Sequence, residues 1–365
     1  MKRLLCILSN MNTGGAETFL MKIYRQMDKS KFQMDFCINV PEKCFYEDEI
    51  IAMGGRIYRI PPKSQGLKEF QKQLKKVVQS GDYKYVLRIT SNAMGFFDLK
   101  IAKQAGAEIC AARSSNSSDG AGWKPWLAHR LGRLLYGKYV DVKFAPSDLA
   151  ALYTFGKKAV KRGQVTILNN AVDLNVYKYY GEERTRLREA LGIENCTVIG
   201  HVGRFMEQKN HAFLLDVFYE IHKQNENAVL LLVGGNGNLE GQIRQKVLDL
   251  GLEQRVIFTG VRSDIPQLMS AMDVFVMPSL FEGMPNTVIE AQATGLPCVI
   301  ADTITREANI TGLVEYLPLE NPAAWAKKAL QAVSAERKDT HQDFIDKQYD
   351  IETTVNSFVK LVFGE

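Results

Sequence analysis

The sequence predicts an α/β protein with two doubly wound domains, each a parallel β-sheet covered by helices. Short apolar runs bounded by turn residues alternate with longer segments of helical spacing, which is typical of parallel sheets buried between helices. A polar stretch at residues 169–183 interrupts this alternation, which then begins again. The length of 365 residues also suits two domains better than one.

Six strands are expected in the first half of the chain. They are residues 4–8, 34–40, 56–60, 85–89, 109–112 and 142–145. Helices are expected at 15–27, directly after the first strand, and at 67–79, where four lysines would lie on a solvated face. These lysines are Lys68, Lys72, Lys75 and Lys76.

A short strand at 165–168 precedes the polar stretch, and five more strands are expected after it. They are residues 197–202, 228–233, 255–259, 274–277 and 297–301. We therefore expect a first domain of residues 1–170, a second of residues 171–345, and a final segment of residues 346–365. That segment should form a helix, from about residue 352 to residue 363, that packs across the domain junction.

The composition argues against several classes of protein. A net charge of +5 is far below the positive charge of proteins that bind nucleic acid without sequence preference. It suits the binding of a phosphorylated small molecule or contact with an anionic membrane face. Six cysteines without a CxxC pair predict reduced thiols, and no DxD triplet is present to bind a metal. No apolar stretch approaches the roughly 20 residues that span a bilayer, so membrane contact would be peripheral.

The densest pattern is FEGMPNTVIEAQATGLP, residues 281–297, which follows a predicted strand. Gly283 allows a ligand to approach the backbone, and Pro285 suits the first turn of a helix, whose unpaired N–H groups bind anions. Glu282 precedes this helix and Glu290 lies on it, so the two carboxylates would bind hydroxyls at opposite ends of an elongated ligand. The alternative is two solvated glutamates on an exposed helix.

A second pattern, VIGHVGRFMEQKNH at residues 198–211, follows the first long strand of the second half. Gly200 and Gly203 mark the end of the strand, and Arg204 and Lys209 follow in a short loop before a helix. A planar guanidinium and a compact ammonium directed at one point fit a diphosphate. The alternative is ordinary basic residues beside a turn.

Two glycine-rich turns complete the candidate site. Gly14 and Gly15 open a helix at the edge where doubly wound sheets bind ligands, although a tight turn without a ligand fits them equally well. The stretch VGGNGNLEG at 233–241 is like a dinucleotide-binding fingerprint but has Glu240 where the third glycine is required. It is interpreted as a loop that lines the ligand pocket with Gly234, or as a plain turn.

Together these patterns resemble glycosyltransferase family 4, over nearly the whole chain. The family's ExxxxxxxE pattern is matched by Glu282 and Glu290, its basic pair by Arg204 and Lys209, and its amino-terminal GGAE by residues 14–17. The resemblance implies the GT-B fold, with two facing Rossmann-like domains and a C-terminal helix crossing their junction. It also implies a retaining hexosyltransferase, similar to those of bacterial exopolysaccharide and capsular polysaccharide assembly.

By this resemblance the first domain would bind the acceptor and the second the nucleotide sugar, with a UDP-sugar favoured. Arg204 and Lys209 would hold the diphosphate, and Glu282 the hydroxyls of the sugar, as the catalytic residues. Glu290 would bind the ribose, and a loop at 260–265 would face the base. The remaining predicted substrate contacts are Gly14, Gly15, Gly203, Gly234, Val261, Gly283, Met284, Pro285, Asn286 and Thr287.

The implied mechanism stabilises negative charge on the leaving diphosphate through Arg204, Lys209 and the helix start near Pro285. No metal or other cofactor is then expected, because the nucleotide sugar is a co-substrate. The acceptor would be a glycan or a lipid-linked oligosaccharide, and nucleic acid is not expected as a partner. The site of action would be the cytoplasm, at the inner face of the cell membrane where the acceptor is lipid-linked.

The sequence departs from the family pattern in the first domain. Arg88, Thr90, Arg113 and Ser115 stand where histidines are common near the acceptor. Residues 302–304 also replace a glycine pair that is common after the strand at 297–301. These departures keep two alternatives open: a non-catalytic donor-binding subunit of a glycosyltransferase pair, and a GT-B nucleotide-sugar epimerase.

The segment at residues 123–143 combines aromatic, leucine and basic residues. Trp126 and the leucines lie among Arg130, Arg133 and Lys138, and the leucines are Leu127, Leu131, Leu134 and Leu135. Such a helix would either lie on an anionic bilayer close to a lipid-linked acceptor or pack its leucines on the sheet.

Overall fold

The computed structural model describes residues 1–115, 123–235 and 237–365. Contacts divide the chain into two compact units. One contains residues 1–171 and 348–365, and the other contains residues 172–347. Each unit is built around a parallel β-sheet.

The first unit has a seven-stranded sheet in its described residues. The strands are β1 (Lys2–Ile7), β2 (Phe32–Ile38), β3 (Ile57–Arg59), β4 (Tyr85–Thr90), β5 (Ile109–Ser114), β6 (Val142–Ala145) and β7 (Thr166–Ile167). They lie in the order β3-β2-β1-β4-β5-β6-β7, with parallel pairing throughout. The strand order reverses between β1 and β4, which is where doubly wound sheets bind ligands.

Helices connect these strands. They are α1 (Gly15–Gln26), α2 (Glu47–Ala52), α3 (Leu67–Ser80), α4 (Phe96–Gln104), α5 (Trp123–Tyr136), α6 (Asp148–Phe155) and α7 (Lys157–Lys161). In α3 the buried residues Phe70, Leu74, Val77 and Val78 recur at three- to four-residue spacing, which gives the helix one apolar face against the sheet. Among the described residues, no helix combines the length and the apolar character that crossing a membrane would need.

The chain returns to the first unit in its last helix, α15 (Ile351–Phe363). Asp350 caps this helix by accepting a hydrogen bond from the Thr353 N–H at 2.8 Å. Phe358 is fully buried against α1, with its ring centroid 6.4 Å from that of Phe19. Because these contacts lie within the first unit, packing across the domain junction stays a prediction.

The second unit has a six-stranded sheet, again counted over its described residues. The strands are β8 (Thr197–Val202), β9 (Ala228–Val233), β10 (Val256–Phe258), β11 (Val274–Met277), β12 (Cys298–Ala301) and β13 (Val314–Leu317). Their order is β10-β9-β8-β11-β12-β13, again with parallel pairing. Every residue of β9 is buried, as expected for a strand covered on both faces.

Seven helices of the second unit lie within the described residues. They are α8 (Gly181–Leu191), α9 (His211–Gln224), α10 (Glu240–Asp249), α11 (Ile265–Ala271), α12 (Asn286–Ala293), α13 (Pro322–Val333) and α14 (His341–Asp346). The strand order of this sheet reverses between β8 and β11, so a second potential ligand site lies at their carboxyl ends.

The predicted strands are confirmed, with ends that differ by up to two residues. The sequence does not predict β13, because Glu315 interrupts its apolar run at the edge of the sheet. Pro285 differs slightly from its expected place. It is the N-cap of α12, one residue before the helix, and not part of the first turn.

Candidate functional site

Two loops that carry predicted site residues leave the same edge of the second sheet. The loop after β8 contains Arg204 and Lys209, and the loop after β11 contains Glu282. The two strands are parallel neighbours, so their carboxyl ends lie side by side. The topology thus brings together residues that are 73 positions apart in the sequence.

Lys209 and Glu282 are in direct contact. The Lys209 Nζ donates to the Glu282 Oε1 at 2.7 Å, and the Gln208 Nε2 donates to the Glu282 Oε2 at 3.3 Å. The main chain joins the same loops, since the Leu280 N–H donates to the Gln208 carbonyl at 2.8 Å. Side chains and backbone therefore hold the two loops together.

This ion pair is largely withdrawn from solvent. The Lys209 side chain is 18% exposed and the Glu282 side chain 9% exposed. Salt and water screen such a pair less than a surface pair, and each charge depends on its partner because an unpaired buried charge is destabilising. Lysine has three N–H donors, so Lys209 can bind an anion while it keeps its contact with Glu282.

Arg204 differs from Lys209 in its surroundings. It is exposed, and it makes no ion pair with any residue in the described ranges. The structure therefore does not bring the two predicted cations into one cluster with Glu282, although both follow β8 in the same loop. Binding of a diphosphate by Arg204 stays a prediction.

The segment that follows Glu282 contains the start of α12 and Glu290. Glu290 retains only 7% of its accessible surface, so the alternative of solvated glutamates on an exposed helix is wrong. An added Cβ on Gly283 would meet no atom within 4 Å, which leaves space beside the loop. Asn286 and Thr287 open the helix, where the first N–H groups have no acceptor within it and the dipole favours anions.

The glycine-rich loop after β9 packs against the loop after β8. A Cβ on Gly234 would lie 2.1 Å from the Gly203 carbonyl oxygen, and Gly234 has a φ of +142°. A Cβ on Gly237 would lie 2.0 Å from the Phe205 carbonyl oxygen. The glycines therefore allow the two loops to pack closely, and the lining of a ligand pocket by Gly234 stays a prediction. Its Asn236 lies outside the described residues.

Val261, the predicted contact in the loop at 260–265, lies next to the glycine-rich loop. A Cβ on Gly235 would be 3.2 Å from the Val261 Cγ2, and Val261 is 58% exposed. Gly260 has a φ of +70°, which favours glycine at the turn that follows β10. The exposed valine therefore offers an apolar surface beside the glycine loop, as a flat base would need.

Two histidines lie directly behind the loop after β8. His201 is fully buried, and its Nδ1 lies 2.8 Å from the Val276 carbonyl oxygen, which ties β8 to β11. His211 packs against it edge-on, with ring centroids 4.7 Å apart. Burial, with a contribution from Lys209, lowers the pKa of His201 well below its usual value and the pKa of His211 to about 4. Both rings are therefore neutral at neutral pH.

In the first unit, Gly14 is the N-cap of α1 and Gly15 is its first residue. They follow β1, at the edge where the strand order reverses. A Cβ on Gly14 would lie 2.4 Å from the Glu17 Oε2, which is the end of a flexible side chain, and the φ of Gly14 is −150°, so the turn does not require glycine here. The expected strand-to-helix turn is confirmed, and a ligand at this turn stays a prediction.

The arginines at positions where the resemblance leads one to expect histidine make contacts within the first unit. The Arg88 Nε lies 2.9 Å from the Asp98 Oδ2. Arg113 is buried, with its guanidinium carbon 3.8 Å from the ring centroid of Phe19. Burial lowers the pKa of Arg113 to about 9, which still leaves it charged at neutral pH.

The structure adds three residues that sequence reasoning missed: Gln208, His201 and His211. Gln208 stands directly before Lys209, so its place in the loop was the available signal. His201 interrupts a buried strand, and a polar side chain in such a strand generally has a specific partner. No comparable signal marks His211, whose burial depends on how α9 packs.

The described residues include no group of three or more His, Cys, Asp or Glu side chains that could hold a metal ion. The six cysteines carry no disulfide, and five of them are buried. Burial raises the pKa of the Cys298 thiol, and also raises that of Cys110 to about 12. These thiols are therefore protonated at neutral pH and are not nucleophiles.

Sequence comparison relates the chain to sugar-transferring enzymes. The family model described as "Glycosyl transferases group 1" matches residues 196–335, which contain both site loops. EpsF of Bacillus subtilis (strain 168) is 37% identical over 343 residues, which are 92% of this chain and 89% of EpsF. The capsular polysaccharide biosynthesis glycosyltransferase CapH of Staphylococcus aureus is 24% identical over 381 residues, covering 100% of this chain and 99% of CapH.

A solved structure has the same fold along the whole chain. Alr3699/HepE of Anabaena, in complex with UDP-glucose, superposes with a TM-score of 0.79 at 19% identity and covers 100% of both chains. Identity this low bears on the fold alone, and that fold consists of two parallel-sheet units like those described above. Given this fold and the extended match to EpsF, the chain belongs to the group 1 glycosyltransferases and has the GT-B fold.

Proposed function

We propose that this chain moves a hexose, with retention of configuration, from a nucleotide-diphosphate sugar to a glycan or lipid-linked acceptor in surface polysaccharide assembly. The observation that carries this proposal is the contact between Lys209 and Glu282 where the strand order of the second sheet reverses. A cation and a carboxylate held together there can bind a phosphate and a sugar hydroxyl side by side. The UDP-glucose bound to HepE supports a UDP-sugar as donor, and the name of CapH supports a role in polysaccharide assembly.

In the proposed reaction the bond between the anomeric carbon and the diphosphate oxygen breaks, and its electron pair goes to the diphosphate. The acceptor hydroxyl oxygen forms the new bond to the same face of the sugar, and its proton passes to the leaving phosphate oxygen. Lys209, Arg204 and the start of α12 stabilise the charge that grows on the diphosphate. Glu282 accepts hydrogen bonds from the sugar hydroxyls and keeps the Lys209 ammonium in position.

We assign the remaining donor contacts from the family resemblance. Glu290, buried in α12, binds the ribose, and the exposed Val261 packs against the base. Because the protein's own cations stabilise the leaving group, we expect turnover to continue when EDTA removes divalent ions.

The test is a turnover assay by nuclear magnetic resonance with UDP-, GDP- and ADP-sugars, with and without a lipid-linked acceptor. A transferase gives a product only with acceptor, an epimerase converts the donor alone, and a non-catalytic subunit leaves the donor unchanged. The anomeric coupling constant of the product reports retention or inversion. Donor conversion without acceptor, or binding without turnover, would contradict the proposal.

Two substitutions test the residues. Lys209→Ala should remove turnover and weaken donor binding, whereas Glu290→Ala should chiefly weaken donor binding. Lys327→Ala is the matched control, because Lys327 is an exposed lysine on α13 in the same unit. Unchanged kinetics in both site variants would reject these assignments.

We also propose that α5 places the enzyme on an anionic membrane surface, where a lipid-linked acceptor would be found. The alternative in which this helix packs its leucines on the sheet does not fit, because its large apolar residues are exposed. They are Trp123, Trp126, Leu127, Leu131, Leu134 and Leu135. The helix contains no acidic residue, and the Arg130 guanidinium carbon lies 4.8 Å from the Trp126 ring centroid. An exposed apolar face with basic flanks suits the boundary between headgroups and acyl chains.

Vesicle sedimentation tests this proposal. The protein should sediment with vesicles that contain phosphatidylglycerol and remain in solution with phosphatidylcholine alone, since both apolar and charge contacts contribute. Leu131→Ser with Leu134→Ser should lower the bound fraction at least tenfold. Leu248→Ser, at a leucine that is 52% exposed on α10, should leave it unchanged. Equal sedimentation of all variants would remove the membrane role from α5.

A further inference from the structure

A groove on the first unit, between α3 and α4, is lined by four lysines. They are Lys68, Lys72 and Lys75 on α3 and Lys100 on α4, and we call this the lysine groove. Its volume is about 330 Å³. All of its lining residues belong to the first unit, whereas the donor residues Lys209 and Glu282 belong to the second.

The lysines of this groove have no carboxylate partners among the residues described. Some other surface lysines have a carboxylate partner, such as Lys43 with Asp48 at 2.7 Å and Lys246 with Asp216 at 2.7 Å. The acidic residue of α4, Asp98, is 1% exposed and already binds two other cations of the first unit. The groove therefore has a local excess of positive charge.

This arrangement is unfavourable for the helix itself. Lys68 and Lys72 are four positions apart on α3, and Lys72 and Lys75 are three apart, so their ammonium groups are neighbours on one face. Like charges at such spacings destabilise a helix. An anion bound between them would remove this repulsion.

The groove also has an apolar floor and neutral donors, which a purely solvated face lacks. Phe97 and Ile101 are buried at its base, and Gln71 and Gln104 contribute amides. The Lys100 Nζ lies 6.0 Å from the ring centroid of Phe97, so its stem rests on this floor. The floor sets a fixed depth for a bound group, while the ammonium groups surround it.

The lysine groove adjoins the exposed helix α5. The Lys100 Nζ lies 5.8 Å from the ring centroid of Tyr136, the last residue of α5, and the Phe97 and Tyr136 ring centroids are 5.2 Å apart. Lys100 of the lysine groove thus lies close to the last residue of α5.

From these observations we infer that the lysine groove is a binding site for a phosphate-bearing group, distinct from the donor site. Lysine binds phosphate as a point charge, and several lysines around one cavity match the multiple charge of a phosphate or diphosphate. A lipid headgroup and a water-soluble phosphate ester both present this chemistry. The inference requires neither the proposed sugar transfer nor insertion of α5.

Two probes distinguish a water-soluble phosphate ester from a lipid headgroup. Inorganic pyrophosphate is titrated by calorimetry in the presence of saturating UDP, which occupies the donor site. Vesicles with phosphatidylglycerol or with phosphatidylcholine are sedimented with the same protein. Lys72→Gln with Lys75→Gln alters the groove, and Lys327→Gln with Lys328→Gln is the matched control on α13. Thermal unfolding verifies that each variant is folded.

The groove variant should bind at least one of the two probes, pyrophosphate or the vesicles, tenfold more weakly than the parent and the control. Its affinity for that probe should also fall less steeply with rising salt concentration. Loss of pyrophosphate binding alone indicates a soluble phosphate ester, and loss of vesicle binding alone indicates a lipid headgroup. The vesicle arm is repeated with Leu131→Ser and Leu134→Ser present, which separates this site from α5. Undiminished binding of both probes, or citrate competing as well as pyrophosphate, would overturn the inference.

Discussion

At the scale of single residues, the contact between Lys209 and Glu282 is the feature on which the proposed chemistry depends. Its two side chains are mostly shielded from solvent, so removal of either one leaves a charge without its partner. The structural effect of that loss can be measured separately from the catalytic effect, because stability does not require substrate.

A double-mutant cycle with Lys209→Met and Glu282→Gln should give a coupling energy of about 1–3 kcal/mol in urea unfolding. Each single variant leaves one charge unpaired, whereas the double variant leaves none. The same cycle at the exposed pair Lys43 and Asp48 should give a coupling within experimental error. Additive effects at Lys209 and Glu282 would mean that the pair is not formed in solution.

The neutral histidine pair gives a prediction for pH. Burial lowers the pKa of His211 to about 4 from 6.5, so between these values the unfolded chain binds more protons than the folded one. The resulting stability is fully present above pH 6.5 and is lost as the pH falls towards about 4. The loss is on the order of 3 kcal/mol, because each pKa unit corresponds to roughly 1.4 kcal/mol.

His211→Phe should reduce, without abolishing, the pH dependence of the unfolding free energy between pH 6.5 and 4, because burial lowers the pKa of His201 as well. The ring of His211 lies among apolar and aromatic neighbours, with its centroid 4.7 Å from that of Phe205, so a phenyl ring can replace it. His341→Gln, at an exposed histidine, should retain the slope of the parent. Parallel curves for the parent and His211→Phe would show that this residue does not contribute.

The sequence predicts the kinds of residue at the candidate site better than their contacts. Arg204, Lys209 and Glu282 can be predicted because each follows a buried strand, and parallel strands end at one edge. The partnership of Lys209 with Glu282 cannot be predicted, because it depends on the neighbouring places of β8 and β11 in the sheet. The burial of His201 likewise follows from the tertiary packing on both faces of β8.

At the scale of elements, the close approach of the loops after β8 and β9 depends on glycine. Gly234→Ala would place a Cβ 2.1 Å from the Gly203 carbonyl oxygen at a φ of +142°, so one loop must move. We expect Gly234→Ala to lower the unfolding free energy by about 2 kcal/mol or more and to weaken donor binding in calorimetry. Gly241→Ala, where an added Cβ meets no atom within 4 Å, should be neutral or stabilising. Equal changes in stability and donor binding in the two variants would show that the close approach of these loops does not depend on Gly234.

The strands themselves are the most predictable elements, because strands covered on both faces are nearly continuous apolar runs. The edge strand β13 departs from this rule, since an edge position tolerates the exposed Glu315. For α5 the sequence leaves two orientations open, because its leucines and basic residues fit a core helix and a surface helix equally. The orientation of α5 depends on which of its faces meets the rest of the fold. That face is the one with Gly132, which packs against the backbone of Ala93.

At the scale of the whole molecule, the chain passes from the first unit to the second and returns. Residues 348–365 complete the first unit, so its core contains contacts between the two ends of the sequence. The aromatic rings of α1, β6 and α15 meet there, as the centroids of Phe144 and Phe358 are 6.0 Å apart. The polar stretch and the last helix predict where the boundaries lie, but the sequence does not predict the partners of that helix.

Because α15 belongs to the first unit, a destabilising substitution in α15 should affect the stability of the first unit alone. Phe358→Ala should cost about 3–5 kcal/mol, because the ring is fully buried, and amide exchange should accelerate in β1 and α1. Phe218→Ala, at an equally buried ring of α9, should instead accelerate exchange in β8 and β9. Because each core is built from its own sheet, the two patterns should not overlap. If Phe358→Ala increased exchange in β8 as much as in β1, the two units would unfold as one, and α15 would stabilise both.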